Sequence, residues 1–203
     1  MAEWLCSGLQ SRLRRFDSGF SLHVFMKKNK ALFLDRDGVI NINYGYVHSI
    51  DKFNFIKGIF GLVSKAKQKD YLIIIVTNQA GIGRGYYTEG NFLRLMEWVK
   101  NQFKLKNGAI DAVYYCPFHP VHGKGKYKKD SNLRKPNPGM ILKAQSEHNI
   151  NLSKSILIGD QITDIDAGKS AGVGLNLLFK NDSKNKSKQT ETIHDISEAI
   201  KFL

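Results

Sequence analysis

The chain has 203 residues, 42% of them hydrophobic, enough for one domain with a sizeable core and too apolar for a disordered chain. Its 31 Lys and Arg against 18 Asp and Glu give a formal net charge of +13, which selects for anionic partners: phosphorylated metabolites, nucleic acid or an acidic surface. The two cysteines, Cys6 and Cys116, lie far apart, which argues against a disulfide framework and suits a reducing cytoplasm, and no apolar run is long enough to span a bilayer.

In residues 1–25, Arg12, Arg14 and Arg15 interrupt scattered apolar residues, and Asp17, Ser18 and Gly19 would end an amphipathic helix early. That composition is a poor signal peptide, so the expectation is a dispensable extension, with Met26 as an alternative start and residues 26–203 as a single domain. The first strand is expected at Ala31–Leu34, and it ends abruptly in Asp35-Arg36-Asp37-Gly38. Side chains alternate along an extended chain, so carboxylates at i and i+2 emerge on the same side, and Gly38 lets the chain turn away. Hard carboxylate oxygens suit Mg²⁺, and one beside a neutralised phosphoryl group can be the nucleophile while the other moves the proton. An acidic turn after a buried strand fits the same four residues, so the motif needs support from the rest of the chain.

A loop over Asn41–Phe55 precedes a helix expected at Ile59–Lys69, with Ile59, Leu62, Val63 and Ala66 on its buried face. Tyr71–Val76 is an unbroken apolar, β-branched run, the mark of a parallel strand covered on both faces. Thr77-Asn78-Gln79-Ala80-Gly81 follows at once, and a glycine-rich loop is expected as far as Tyr87. Thr88 suits the N-cap of a helix whose stripe is Phe92, Leu95, Met96, Val99 and Phe103, an ordinary core face. A third strand at Ala112–Tyr115 leads into Pro117–Leu133, whose Lys124, Lys126, Lys128 and Lys129 face a single Asp130, so little burial is expected there.

Arg134-Lys135-Pro136-Asn137-Pro138-Gly139 closes that loop, with Pro136 restricting Lys135 and Asn137-Pro138 suiting a helix start. Lys135 is therefore expected to be held rather than free. A fourth strand at Ser155–Ile158 runs into Gly159-Asp160-Gln161-Ile162-Thr163-Asp164, followed by a short helix to Ala171 and a fifth strand at Leu175–Leu178. A solvated tract, Asn181–Gln189, precedes a final short helix carrying Ile196, Ile200 and Leu203.

Strands alternating with helices imply an α/β fold with a doubly wound, mainly parallel, Rossmann-like sheet, whose ligands bind outside the carboxyl ends of the strands. Asp35, Thr77 and Asp160 sit at three such ends, a coincidence far less probable by chance than any one motif.

These pieces, Asp35-x-Asp37-Gly38, Thr77-Asn78, Lys135 and Gly159-Asp160-x-x-x-Asp164, resemble the ordered motifs of haloacid dehalogenase (HAD) superfamily phosphatases over about Lys30 to Phe179. Asp35-Arg36-Asp37-Gly38-Val39-Ile40-Asn41, the stretch from Thr77 to Glu89, Tyr114-Tyr115-Cys116-Pro117 and Arg134–Met140 resemble the D,D-heptose-1,7-bisphosphate 7-phosphatase family and its histidinol-phosphatase relatives. The resemblance implies Asp35 as nucleophile, Asp37 as general acid and then base, and Mg²⁺ held by Asp35, the Asp37 backbone carbonyl and Asp160, with Asp164 supporting the metal shell. It further implies Thr77 and Lys135 as stabilisers of the phosphoryl oxygens. Nearby backbone N–H groups would assist them in offsetting the repulsion between carboxylate and phosphate. Asn78, Arg84 and Arg134 would complete a site for a phosphorylated sugar, the two arginines suiting a second phosphate or sugar hydroxyls.

The spacing between motifs leaves no room for a substantial cap domain, so specificity is expected from loops at Tyr44–His48, Gly81–Tyr87 and Pro117–Leu133. Where zinc-loop members of the family carry Cys-x-His and then Cys-x-Cys, this chain has Phe118 after Cys116-Pro117, and Ser131 and Leu133 later, so no structural Zn²⁺ is expected. The product would feed surface-glycan or nucleotide-heptose synthesis. The rival readings are a histidinol-phosphate phosphatase, a polynucleotide 3′-phosphatase, and a non-catalytic binder of phosphate ligands on the same fold. The lysine loops lack interleaved stacking aromatics apart from Tyr127, which counts against nucleic acid.

Overall fold

The computed structural model describes residues 28–180 and 191–203. The expected extension at residues 1–25, with Cys6, and the whole of the solvated tract at Asn181–Gln189 lie outside the described residues.

Six strands form one wholly parallel sheet: β1 (Lys30–Leu34), β2 (Tyr71–Asn78), β3 (Ala112–Cys116), β4 (Ile156–Gly159), β5 (Leu175–Phe179) and β6 (Glu191–Ile193). Their spatial order is β3-β2-β1-β4-β5-β6, the doubly wound order with its switch point between β1 and β4. Register pairs Leu34 with both Ile75 and Ile158, so β1 and β4 finish at nearly one level while β2 continues past it to Asn78. That level is where the acidic motifs emerge.

Alternation along these strands feeds two cores. Leu32, Leu34, Ile73, Ile75, Ile156 and Ile158 point to one face, covered by α1 (Ile59–Gln68), α3 (Glu89–Leu105) and the C-terminal 3₁₀ helix Ile196–Phe202. Ala31, Phe33, Ile74, Val76 and Leu157 point to the other, covered by α4 (Gly139–His148) and α5 (Ile162–Ala171). A strand buried on both sides must be apolar at every position, which is why β1 and β2 read as continuous runs. The stripe Phe92, Leu95, Met96, Val99 and Phe103 is buried as expected, and Thr88 caps α3 by accepting from the Asn91 N–H in a reciprocal capping box.

Four differences have identifiable causes. Part of the expected glycine-rich loop is a short helix, α2 (Ala80–Arg84), ended by Gly85 in the left-handed conformation. β2 runs on through Thr77 and Asn78, because the neighbouring edge of β3 supplies ladder partners to both. A sixth strand, Glu191–Ile193, pairs with β5, which three residues of unremarkable composition do not announce. The loop Pro117–Leu133 is less free than its lysines suggest. It contains a 3₁₀ turn at Gly125–Tyr127, partly buries Phe118, Tyr127 and Leu133, and docks on α2 through a bond from Lys124 N–H to the Gly83 carbonyl at 2.8 Å.

Candidate active site

β1 delivers Asp35 and Asp37 to the rim, where the Asp35 N–H donates to the Ile158 carbonyl at 3.0 Å and ties the end of β1 to β4. Gly38 follows at φ +94°, and a Cβ there would lie 2.3 Å from Asp160 Oδ2. The turn therefore needs glycine both for its left-handed backbone and to let Asp160 approach. β4 delivers Asp160, and the first turn of α5 adds Asp164, whose carboxylate accepts from the Gln161 N–H at 3.0 Å.

Lys135 is the cation of this group and is almost wholly buried. Its Nζ lies 2.8 Å from Asp35 Oδ1 and 2.6 Å from Asp164 Oδ1, and donates to the Val76 carbonyl at 2.8 Å. Burial opposes its charge, but the two carboxylates outweigh burial and raise its pKa above the ordinary lysine value. Asn78 explains why Lys135 is held: its Nδ2 donates to the Lys135 carbonyl and its Oδ1 accepts from the Lys135 N–H, each at 3.1 Å. The Asn78 amide, expected to touch substrate, is thus engaged with the backbone of Lys135.

Asp35 has its pKa raised to about 7, by burial first, with Lys135 opposing and Asp164 and Asp160 adding to the rise. Burial likewise raises Asp160. Three carboxylates from different elements, Asp35, Asp160 and Asp164, bring oxygens within 4.8 Å of one another. Asp160 Oδ1 is buried without a hydrogen-bond donor, while Asp35 Oδ1 has the Lys135 ammonium beside it. Hard, anionic oxygens that are clustered and short of donors fit a small divalent cation such as Mg²⁺. Asp37 instead turns its carboxylate to Arg36, Asn41 and Gln79.

These groups line a cavity of about 410 Å³, together with Thr77, Asn78, Arg134, Thr163 and, from the loop after β1, Asn43, Gly45 and Tyr46. Arg134 faces it and donates to the Phe118 carbonyl at 3.3 Å. Arg84 stands back, its guanidinium 5.8 Å from the Tyr46 ring centroid and its Nε buried without a partner. In the basic loop, His119 Nδ1 accepts from the N–H groups of Val121 and His122, and Cys116 Sγ faces the Phe118 carbonyl at 3.9 Å. These possible thiol and imidazole ligands are turned to local contacts.

Sequence reasoning missed Arg36, Asn41, Gln79, Tyr87 and Lys180. Arg36, read as the spacer of Asp-x-Asp, is fully buried, with Nη2 2.6 Å from Asp37 Oδ2 and 2.7 Å from the Val47 carbonyl. Lys180 donates to the Asp160 carbonyl at 2.9 Å. Gln79 was in view only as part of the longer match from Thr77 to Glu89, with nothing in its spacing to single it out.

A doubly wound sheet with an acidic trio, a buried lysine and a threonine at its carboxyl edge defines a phosphatase of the HAD hydrolase class. The HAD-hydrolase-like family model matches residues 132–199. Solved structures agree. A putative HAD-like phosphatase from Mesorhizobium loti superposes with TM-score 0.78 at 28% identity, covering 86% of each chain. D,D-heptose 1,7-bisphosphate phosphatase from B. bronchiseptica, solved with magnesium and phosphate, gives TM-score 0.73 at 25% identity over 85% of this chain and 96% of that one. In sequence, the D-glycero-alpha-D-manno-heptose-1,7-bisphosphate 7-phosphatase of Burkholderia mallei is 52% identical over 87% of this chain and 94% of its own. The beta-named enzyme of Haemophilus influenzae is 47% identical over 75% of this chain and 82% of its own. The chain belongs to this heptose-bisphosphate phosphatase family. No helix among the described residues is long and apolar enough to cross a membrane.

Proposed function

We propose that residues 26–203 form one catalytic domain that removes the 7-phosphate of D-glycero-D-manno-heptose 1,7-bisphosphate, in the cytoplasm, as a step toward surface-glycan or nucleotide-heptose precursors. The observation that carries the reading is Asp35, a buried carboxylate at the cavity floor with Lys135 on one side and Asp160 and Asp164 beside it.

Mg²⁺, held by Asp35, the Asp37 backbone carbonyl and Asp160 with Asp164 supporting, would neutralise phosphate charge that otherwise repels the nucleophile. Asp35 attacks phosphorus, forming an aspartyl-phosphate as the bond from phosphorus to the sugar oxygen breaks. Asp37 gives its proton to that departing oxygen, then takes one from the water that hydrolyses the acyl phosphate, regenerating Asp35. Lys135, fixed by Asn78, and Thr77 stabilise the equatorial oxygens. Arg134, at the cavity wall, and Arg84, with its unpartnered Nε, suit the second phosphate.

The test is phosphate release from both anomers of heptose 1,7-bisphosphate, histidinol phosphate and a 3′-phosphorylated oligonucleotide, with and without EDTA. The heptose substrate should lead by at least about tenfold in kcat/KM, or about 1.4 kcal/mol of transition-state discrimination. EDTA should abolish turnover. Preference for another member of the set would replace the substrate, and no release from any would remove the enzymatic reading.

A further inference from the structure

Gln79 and Tyr87 belong to no step above, yet both are buried beside the residues that do the chemistry, with Gln79 only 1% exposed. The Gln79 amide meets three groups. Its Nε2 lies 2.9 Å from Thr77 Oγ1 and 3.3 Å from Asp37 Oδ2, and its Oε1 lies 2.6 Å from the Tyr87 hydroxyl. The shape of an amide does not say which end is oxygen, so the neighbours must decide.

The Asp37 end decides. A flipped amide would set its oxygen against the Asp37 carboxylate at 3.3 Å, acceptor facing acceptor. With the amide so turned, its Oε1 faces Tyr87, whose hydroxyl keeps its proton, burial pushing its pKa up to about 12, and donates to it. An amide nitrogen has no lone pair to accept with, so Thr77 Oγ1 must be the acceptor in its contact with Gln79. The single hydroxyl proton of Thr77 is then left over. Among the described residues Thr77 donates to no protein acceptor, and it opens on the cavity that also holds Asp35, Asp37 and Lys135.

Tyr87 is in turn placed from two sides. The His48 ring stacks on it at 4.9 Å with planes 8° apart, and on α2 a Cβ at Gly81 would lie 2.3 Å from the Tyr87 ring. The glycine of α2 is what admits the tyrosine.

We propose that Tyr87 and Gln79 are positioning residues forming a one-way hydrogen-bond relay, which directs the Thr77 hydroxyl proton into the cavity toward the transferring phosphoryl oxygens. The inference rests on the reading of the site as a phosphoryl-transfer centre. It assigns the relay to transition-state stabilisation through Thr77, not to the proton transfer of Asp37.

The experiment is a double-mutant cycle on the full chain, with Tyr87→Phe, Thr77→Val and the pair, and Gln79→Met as an independent break of the relay. Turnover is measured on heptose bisphosphate and on p-nitrophenyl phosphate, whose leaving group needs no proton, alongside orthovanadate inhibition and melting temperature. Loss of one preorganised donor costs on the order of 10²–10³ in kcat, so Thr77→Val sets the ceiling and Tyr87→Phe should cost about tenfold through misdirection. Its loss should be equal for both substrates, with KM within about threefold and orthovanadate weakened in proportion to kcat. In the Thr77→Val background, Tyr87→Phe should cost less than about twofold further. Should Tyr87→Phe not fold, Gln79→Met carries the same cycle. An undiminished loss in the Thr77→Val background, a loss confined to heptose bisphosphate, or no loss at all overturns the relay. Absence of phosphate release by the unaltered chain would instead defeat the reading of the site.

Discussion

Lys135→Met tests the electrostatic design of the site through stability rather than turnover. The Lys135 ammonium sits 2.8 Å from one buried carboxylate and 2.6 Å from a second, and donates to a buried carbonyl as well. Methionine keeps the length of the stem and removes the charge, leaving Asp35 and Asp164 buried with no cation between them. Breaking a buried ion pair by deleting one partner costs about 3–5 kcal/mol, because the remaining charge is uncompensated. For a chain of this size about 1 kcal/mol moves the melting temperature by 2–4 °C, so the expected loss is roughly 6–20 °C. The sign with pH follows. Lys135 opposes protonation of Asp35, so without it Asp35 takes up its proton more readily and the deficit shrinks on acidification. Thermal melts by circular dichroism in EDTA should show the largest deficit at about pH 8 and a smaller one at about pH 5, with Mg²⁺ restoring part of it at the higher pH. A melting temperature within about 2 °C of the unaltered protein at about pH 8 in EDTA would refute the argument.

Asp35→Asn should abolish turnover with the fold intact, whereas Asp37→Asn should still form some covalent intermediate from an activated aryl phosphate; equal inactivity of both in a burst assay would remove the distinction. In the metal-free protein Asp35 holds its proton to about 7, while the unfolded chain releases it near the ordinary carboxylate value. Stability in EDTA should therefore fall as pH rises through that window, and the melting-temperature gain from Mg²⁺, which competes with the proton, should grow; a gain independent of pH would contradict this. Glu89 accepts from the Tyr115 and Tyr127 hydroxyls and so ties the basic loop to α3 and β3, so Glu89→Gln should raise KM severalfold for a bisphosphate with kcat nearly unchanged. Because Cys116 Sγ and His119 Nδ1 are turned to local contacts, elemental analysis should find less zinc than protein, and stoichiometric zinc lost in Cys116→Ala would defeat this. Deleting residues 1–25 should leave the melting temperature and turnover nearly unchanged, and a large thermal loss would place that segment on the core.

Much of this protein can be read in one dimension, because the physics concerned is local. Continuous apolar runs mark strands buried on both faces, the period of α1 and α3 marks their covered sides, and carboxylates at the ends of runs mark the rim where a doubly wound sheet binds ligands. Asp35, Asp37, Thr77, Lys135, Asp160 and Asp164 therefore declared themselves as a group, and the cavity holds them all. What only the tertiary structure decided are pairings between residues remote in sequence, or polar side chains whose partner is set by direction. Asn78 looked like a substrate ligand until Lys135 closed on it from 57 positions away. Arg36 looked like a spacer until its guanidinium was found wholly buried against Asp37 and the Val47 carbonyl. The basic loop looked solvated because its composition says nothing of Glu89, which reaches it from the start of α3 with an acceptor for each of two tyrosines. Hydrophobic burial has a period and no direction, so it shows in a sequence; a hydrogen bond has direction and no period, so it shows only in space.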